Sequence, residues 1–85
     1  MKKTVVEIIW ATGLHARPAG EVVKLSNSFK SNIFFANDEG EVDAKSILGV
    51  LTLGACHKSK ISIRIEGSDE EEALKALESF FKKEF

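Results

Sequence analysis

KISIRIE, residues 60 to 66, alternates apolar and polar side chains without a break: Ile61, Ile63 and Ile65 interleave with Ser62, Arg64 and Glu66. A period of two predicts a strand with one face packed and the other wet. KTVVEIIW, residues 3 to 10, repeats the pattern, with Val6, Ile8 and Trp10 on one face. NIFFA (32–36) and EVDA (41–44) flank the turn-rich quartet Asn37-Asp38-Glu39-Gly40, which predicts a hairpin.

Helical periodicity fills the spaces between these strands and the end of the chain. At the C-terminus Ser68 and Glu71 read as an S-x-x-E capping box, acids at 69–72 crowd the first turn, and Lys82 and Lys83 close the last. Ala73, Leu74, Leu77, Phe80 and Phe81 recur at three- and four-residue spacing and form one apolar stripe. A second helix is predicted over about residues 16–28, burying Ala19, Val22, Val23 and Phe29. A short third one is predicted over about residues 46–53, with Ser46 as N-cap and Gly54 as its stop. The order is β-α-β-β-α-β-α, and helices gathered on one face of a sheet make an α+β two-layer sandwich.

The chain of 85 residues, 44 % hydrophobic, reads as a single domain spanning 1–85. A domain of this size buries only ~60–65 % of its unfolded surface, so it has one modest core and no room for a cleft between lobes. Any chemistry is expected on the surface. A net charge of −1, with no face-wide run of lysine or arginine, argues against nucleic acid as a partner. The apolar runs are far shorter than the ~20 residues that span a bilayer, and Met1-Lys2-Lys3 leads into an alternating segment, not a signal-peptide core. One cysteine, Cys56, excludes an intrachain disulfide and suits a reducing compartment. The expectation is a small cytoplasmic, monomeric domain with no direct membrane insertion.

GLHARPAG, residues 13 to 20, joins the first strand to the first long helix. Proline is tolerated in the first turn of a helix, where its missing N–H has no partner to lose. Pro18 therefore locates His15 at or just before the helix start. The free N–H groups of that turn and the positive end of its dipole suit an anion. Phosphate fits best, because Arg17 adds a planar fork matched to phosphate oxygens. Gly13 allows the sharp bend before the site. Ala16, Arg17 and Pro18 thus form a cradle around whatever His15 holds, and a ring nitrogen with a free lone pair can attack phosphorus. The bland alternative is a solvated histidine at a helix end with no chemistry.

GLHARPA at 13–19 together with AKSILGVLTLGA at 44–55 resembles HPr, the histidine-containing phosphocarrier family of the bacterial phosphoenolpyruvate-dependent sugar phosphotransferase system. The resemblance covers essentially the whole chain. It implies an open-faced two-layer β-sandwich of four antiparallel strands and three helices, in agreement with the order above. It also implies that His15 accepts a phosphoryl group from Enzyme I and passes it to sugar-specific enzyme II A components, with Arg17 steadying the group. No cofactor and no metal are implied. Relatives often carry small or uncharged residues where Gly20 and Glu21 stand; Lys24 keeps a positive charge one turn on.

ILGVLTL, residues 47 to 53, carries more apolar surface than a short helix can bury. At ~100° per residue its apolar side chains spread over about 220° of arc. Ile47, Leu48 and Leu51 are therefore expected to stay exposed unless a loop covers them. The resemblance places a docking surface there beside His15, made of Ala16, Gly20, Lys24, Ile47, Leu48 and Leu51. Ser46, an N-cap by its position, is by the same resemblance a regulatory phosphorylation site for an ATP-dependent HPr kinase/phosphorylase, which would also bring a transcriptional regulator into reach. Cys56 and His57 supply at most two metal ligands with poor mutual geometry, and a loop after the short helix explains them.

Other function classes stay open at this point. A small phosphatase using His15 as nucleophile would be a true enzyme, whereas a carrier turns over no small molecule of its own; no second catalytic group stands near the motif. A paralogue serving a nitrogen-regulatory phosphotransfer branch, and a purely regulatory binding module, are the further alternatives.

Overall fold

The structure, a computed structural model, describes residues 1 to 83. Its elements in chain order are β1 (Lys2–Glu7), α1 (Ala16–Asn27), β2 (Asn32–Asn37), β3 (Gly40–Asp43), α2 (Ile47–Thr52), β4 (Lys60–Glu66) and α3 (Glu70–Phe80). The strands form one sheet in the order β1-β4-β2-β3, with each neighbouring pair antiparallel. The helices cover one side, giving the α+β open-faced sandwich expected from the sequence.

β4 lies inside the sheet because its alternation serves both neighbours. Ile63 pairs with Thr4 on one side and Phe35 on the other, and Ile65 pairs with Lys2 and Ile33. Ile61, Ile63, Ile65, Ile33 and Phe35 are buried under the helices. On the wet face Ser62 is exposed, and Arg64 bridges Glu41 at 2.8 Å and Glu66 at 3.2 Å while its guanidinium stacks over Phe34.

β1 is shorter than its sequence pattern. It ends at Glu7, which pairs with the first residue of β4, Lys60, so the residues beyond have no strand to pair with. Ile8 still donates its N–H to the Ser59 carbonyl at 2.9 Å and accepts from the Lys58 N–H at 2.7 Å. Trp10 leaves the sheet and is buried against the C-terminal end: its ring stacks on Phe81, meets the edge of Phe80, and donates its indole N–H to the Lys83 carbonyl.

The start of α3 corrects the sequence reading. Its N-cap is Asp69 and not Ser68, so the expected Ser68–Glu71 capping box does not form. Asp69 turns its carboxylate away from its own helix to accept from the N–H groups of Lys30 (2.8 Å) and Ser31 (2.9 Å) and from the Ser31 hydroxyl (2.5 Å). A carboxylate offered three tertiary donors outcompetes a hydroxyl offered one local N–H. Glu70, not Glu71, reaches back to the Gly67 N–H, and it pairs with the Met1 ammonium at 2.8 Å; Glu71 pairs with Lys2. The acids of the first turn, Glu70, Glu71 and Glu72, stand as expected. Lys82 and Lys83 lie beyond the helix end at Phe80 and do not close its last turn.

The remaining elements match their patterns closely. Asp38 and Glu39 form the hairpin turn between β2 and β3. α1 buries Pro18, Ala19, Val22 and Ser26, while Val23 and Phe29 are only half-buried. α3 buries Ala73, Leu77 and Phe80, with Phe81 just past its end and Leu74 half-buried.

Candidate functional site

His15 is the N-cap of α1, with extended backbone (φ −85, ψ −171) and a carbonyl that accepts from the Ala19 N–H at 2.9 Å. Its side chain makes no capping hydrogen bond and is exposed. The imidazole is therefore not consumed by the helix it starts. Ala16 and Arg17 follow as the first two helical residues, and their N–H groups belong to the unbonded set at the positive end of the helix. Pro18 comes next, is buried, and has no N–H to leave unsatisfied. Arg17 is exposed, and its guanidinium makes no hydrogen bond or ion pair among the described residues. An unbonded imidazole, two backbone N–H groups and an exposed guanidinium thus follow one another at the start of α1.

Backbone contacts hold this patch in place. The Leu14 N–H donates to the Ala55 carbonyl at 2.9 Å, and the Gly13 N–H to the Trp10 carbonyl at 2.9 Å. Gly13 has φ +72, and a Cβ on it would sit 2.5 Å from the Ala55 oxygen. Only glycine meets both the torsion and the approach. Leu14 and Ala55 are buried, so the loop before α1 and the loop after α2 share one packed seam. Beside that seam Thr12, Leu14, His15, Ala55, Cys56 and His57 line an open hollow of about 480 Å³. The proximity of Cys56 and His57 to His15 was not foreseen from the sequence, because nothing local links positions some 40 residues apart.

α2 presents the apolar surface expected of it. Ser46 caps it, its Oγ accepting from the Gly49 N–H at 3.1 Å. Val50 and Leu53 point into the core, while Ile47, Leu48 and Leu51 remain 41 %, 72 % and 40 % exposed. α1 and α2 pack on one another, tied where α1 ends and α2 begins by Asn27 Nδ2 donating to the Lys45 carbonyl at 3.1 Å and by Lys45 Nζ donating to the Phe29 carbonyl at 2.8 Å. Ala16, Gly20 and Lys24, spaced by four, form an exposed stripe of α1.

A larger hollow of about 740 Å³ lies elsewhere, between α1 and α3, with Leu25, Ala76 and Phe80 in its walls and Lys24 at its rim. Its lining includes Ser28, Ser79, Lys24 and Lys83 but neither histidine of the chain. Among the described residues no three His, Cys, Asp or Glu side chains come together as metal ligands, and no helix is long and apolar enough to cross a membrane.

Comparison with known proteins bears on this geometry. The sequence matches the family model described as "PTS HPr component phosphorylation site" over residues 2–83. It is 46 % identical over 79 residues to the HPr-like protein Crh of Halalkalibacterium halodurans, which covers 93 % of this chain and 94 % of that one. It is 39 % identical over 80 residues to the phosphocarrier protein HPr of Treponema pallidum, covering 94 % of this chain and 91 % of that one. The crystal structure of HPr-C-His from Thermoanaerobacter tengcongensis superposes with a TM-score of 0.89 at 44 % identity over all of both chains.

Proposed function

The chain belongs to the HPr phosphocarrier family of the phosphotransferase system, and from that premise we propose that it carries a phosphoryl group on His15 from Enzyme I to sugar-specific enzyme II A components. A ring nitrogen of His15 attacks phosphorus on the donor, the bond between phosphorus and the donor breaks with its electron pair leaving on the donor, and the same exchange runs towards the acceptor. There is little covalent work for the protein beyond this, so positioning and charge stabilisation dominate. The N–H groups of Ala16 and Arg17 and the Arg17 guanidinium meet the phosphoryl oxygens, whose charge grows on arrival. Pro18 keeps the helix start rigid beneath them.

The observation that carries this reading is the His15 imidazole left unbonded at the N-cap of α1. The docking surface would be the α1 stripe of Ala16, Gly20 and Lys24 with Ile47, Leu48 and Leu51 of α2, since both are exposed on helices that pack together. Incubation with phosphoenolpyruvate and Enzyme I should add the mass of one phosphoryl group to the wild type and none to His15→Ala.

A regulatory role is the second reading, favoured by the similarity to a relative named as an HPr-like protein Crh. Ser46 would then be the working site, phosphorylated by an HPr kinase/phosphorylase and read by a transcriptional regulator. A protein that takes phosphate on Ser46 but never on His15 would belong to that role.

A further inference from the structure

We propose that His57 is a second phosphoryl-facing residue of this chain, an N–H donor from the loop after α2; this rests on the reading of His15 as the carrier. The seam between Leu14 and Ala55 places His15, the residue after one, near His57, two residues after the other. Both histidines line the same open hollow. The backbone around His57 is held: the Ser59 N–H and hydroxyl both donate to the Cys56 carbonyl, at 3.0 and 2.6 Å, and the Lys58 N–H donates to the Ile8 carbonyl at 2.7 Å. Lys58 keeps φ +70 to make that turn.

The two side chains of this loop differ in availability. The Cys56 thiol donates to the Gly54 carbonyl at 3.4 Å. The exposed His57 ring has no hydrogen-bond partner among the described residues. A neutral imidazole keeps one N–H and an imidazolium two, so a donor is present in either state. A phosphoryl group on His15 brings three strong acceptor oxygens and close to two negative charges. Thr12, Leu14 and His15 line the hollow from the loop before α1, and Gly54, Ala55, Cys56 and His57 from the loop after α2, where His57 is the side chain with ring N–H groups. Stabilising the phosphorylated form relative to the free one is the consequence, and it moves the phosphoryl equilibrium towards this carrier.

The chain has only two histidines, so labelling them with nitrogen-15 isolates both rings in one spectrum. Phosphoenolpyruvate and Enzyme I supply the phosphoryl group. The His15 ring signals report the carrier reading, and if they stay unphosphorylated both that reading and this inference fall. With His15 phosphorylated, the His57 ring signals should move and return when the group is removed. In addition, His57→Ala should lower the equilibrium constant for phosphorylation, at a fixed phosphoenolpyruvate to pyruvate ratio, about two- to fivefold, the range of an exposed charged pair. His57→Arg should restore it. Unmoved His57 signals on phosphorylated protein, or the same equilibrium for all three proteins, overturns the inference and leaves the carrier reading standing.

Discussion

The Leu14 N–H meets the Ala55 carbonyl at 2.9 Å, so the segment ending in His15 is positioned by the segment that follows α2. Gly13 lies against the same carbonyl at φ +72. Gly13→Ala must move one loop away from the other and hold a left-handed torsion costing about 1–2 kcal/mol. Its melting temperature should fall by at least about 4 °C, and phosphoryl acceptance should slow with it. Gly20 is the contrast, since no atom lies within 4 Å of a Cβ built there and its torsion is helical. Gly20→Ala should raise stability by up to about 1 kcal/mol. Paired thermal melts decide both, and a Gly13→Ala protein that melts like the wild type refutes the steric account of the seam.

His15→Ala and Arg17→Lys should both leave the fold as it is, because neither side chain has a partner to lose among the described residues. The first should abolish labelling. The phosphorylated wild type should be labile in acid and stable in base, as a phosphorus–nitrogen bond is. The second should slow transfer markedly, since a lysine is a point charge and does not reproduce the fork. Stopped-flow transfer from Enzyme I measures this; equal rates for Arg17 and Lys at that position would leave the work to the helix amides alone.

Asp69 sets a pH dependence. Donation by the Ser31 hydroxyl first, then by the Lys30 N–H, holds its pKa down at about 2. A carboxylate whose folded value lies below its unfolded one stabilises the fold fully above about pH 4 and ceases to do so as the pH falls towards the folded value. Glu70 is held low as well, chiefly by the Met1 ammonium, and adds to the same acid sensitivity. Asp69→Asn should melt earlier than the wild type at neutral pH, and the two curves should converge between about pH 4 and pH 2. Parallel curves through that window would show that the bonds to Lys30 and Ser31 do not depend on the charge.

What the sequence shows and what it hides follow from the range of each interaction. The isoleucine alternation of 60–66 and the stripe of α3 are local periodicities, and both appear as predicted. His15 at the helix start was legible because Pro18 is a local signal of where a helix can begin. The Ser68 cap was misread because Asp69 finds partners at Lys30 and Ser31, on a segment that no local pattern connects to it. The same holds for Trp10, which leaves the strand for the aromatic cluster of Phe80 and Phe81, and for His57, which meets the site only across the Leu14–Ala55 seam.

Leu48 and Leu53 allow proposed docking to be tested apart from packing within one short segment. Leu48 is 72 % exposed and Leu53 only 3 %. Leu53→Ala should cost about 2–5 kcal/mol of stability. Leu48→Ala should melt near the wild type and bind Enzyme I more weakly, as loss of an apolar anchor from a partner surface does. Calorimetric melts and a binding titration on both variants check this, and normal binding by Leu48→Ala would remove that leucine from the docking surface.

Ser46→Asp tests whether charge at the start of α2 acts through the fold or through the partner. Ser46 Oγ already accepts from the Gly49 N–H at 3.1 Å, and an aspartate at the same position can accept that bond with the sign the helix dipole favours. Stability should therefore be unchanged or slightly raised, by up to about 1 kcal/mol. The next residues, Ile47 and Leu48, are exposed apolar side chains, and Leu51 follows one turn on. A carboxylate placed among them must be desolvated when a partner covers the patch, or must face the partner's own acids. Phosphorylation of His15 by Enzyme I should slow while the melting temperature holds. The slowing should appear as a raised KM for this protein as substrate, because the substituted residue adjoins the proposed docking residues Ile47 and Leu48 and is not the reacting ring. A lowered kcat at constant KM would place the effect on the reacting groups instead, and a lowered melting temperature would place it in the cap.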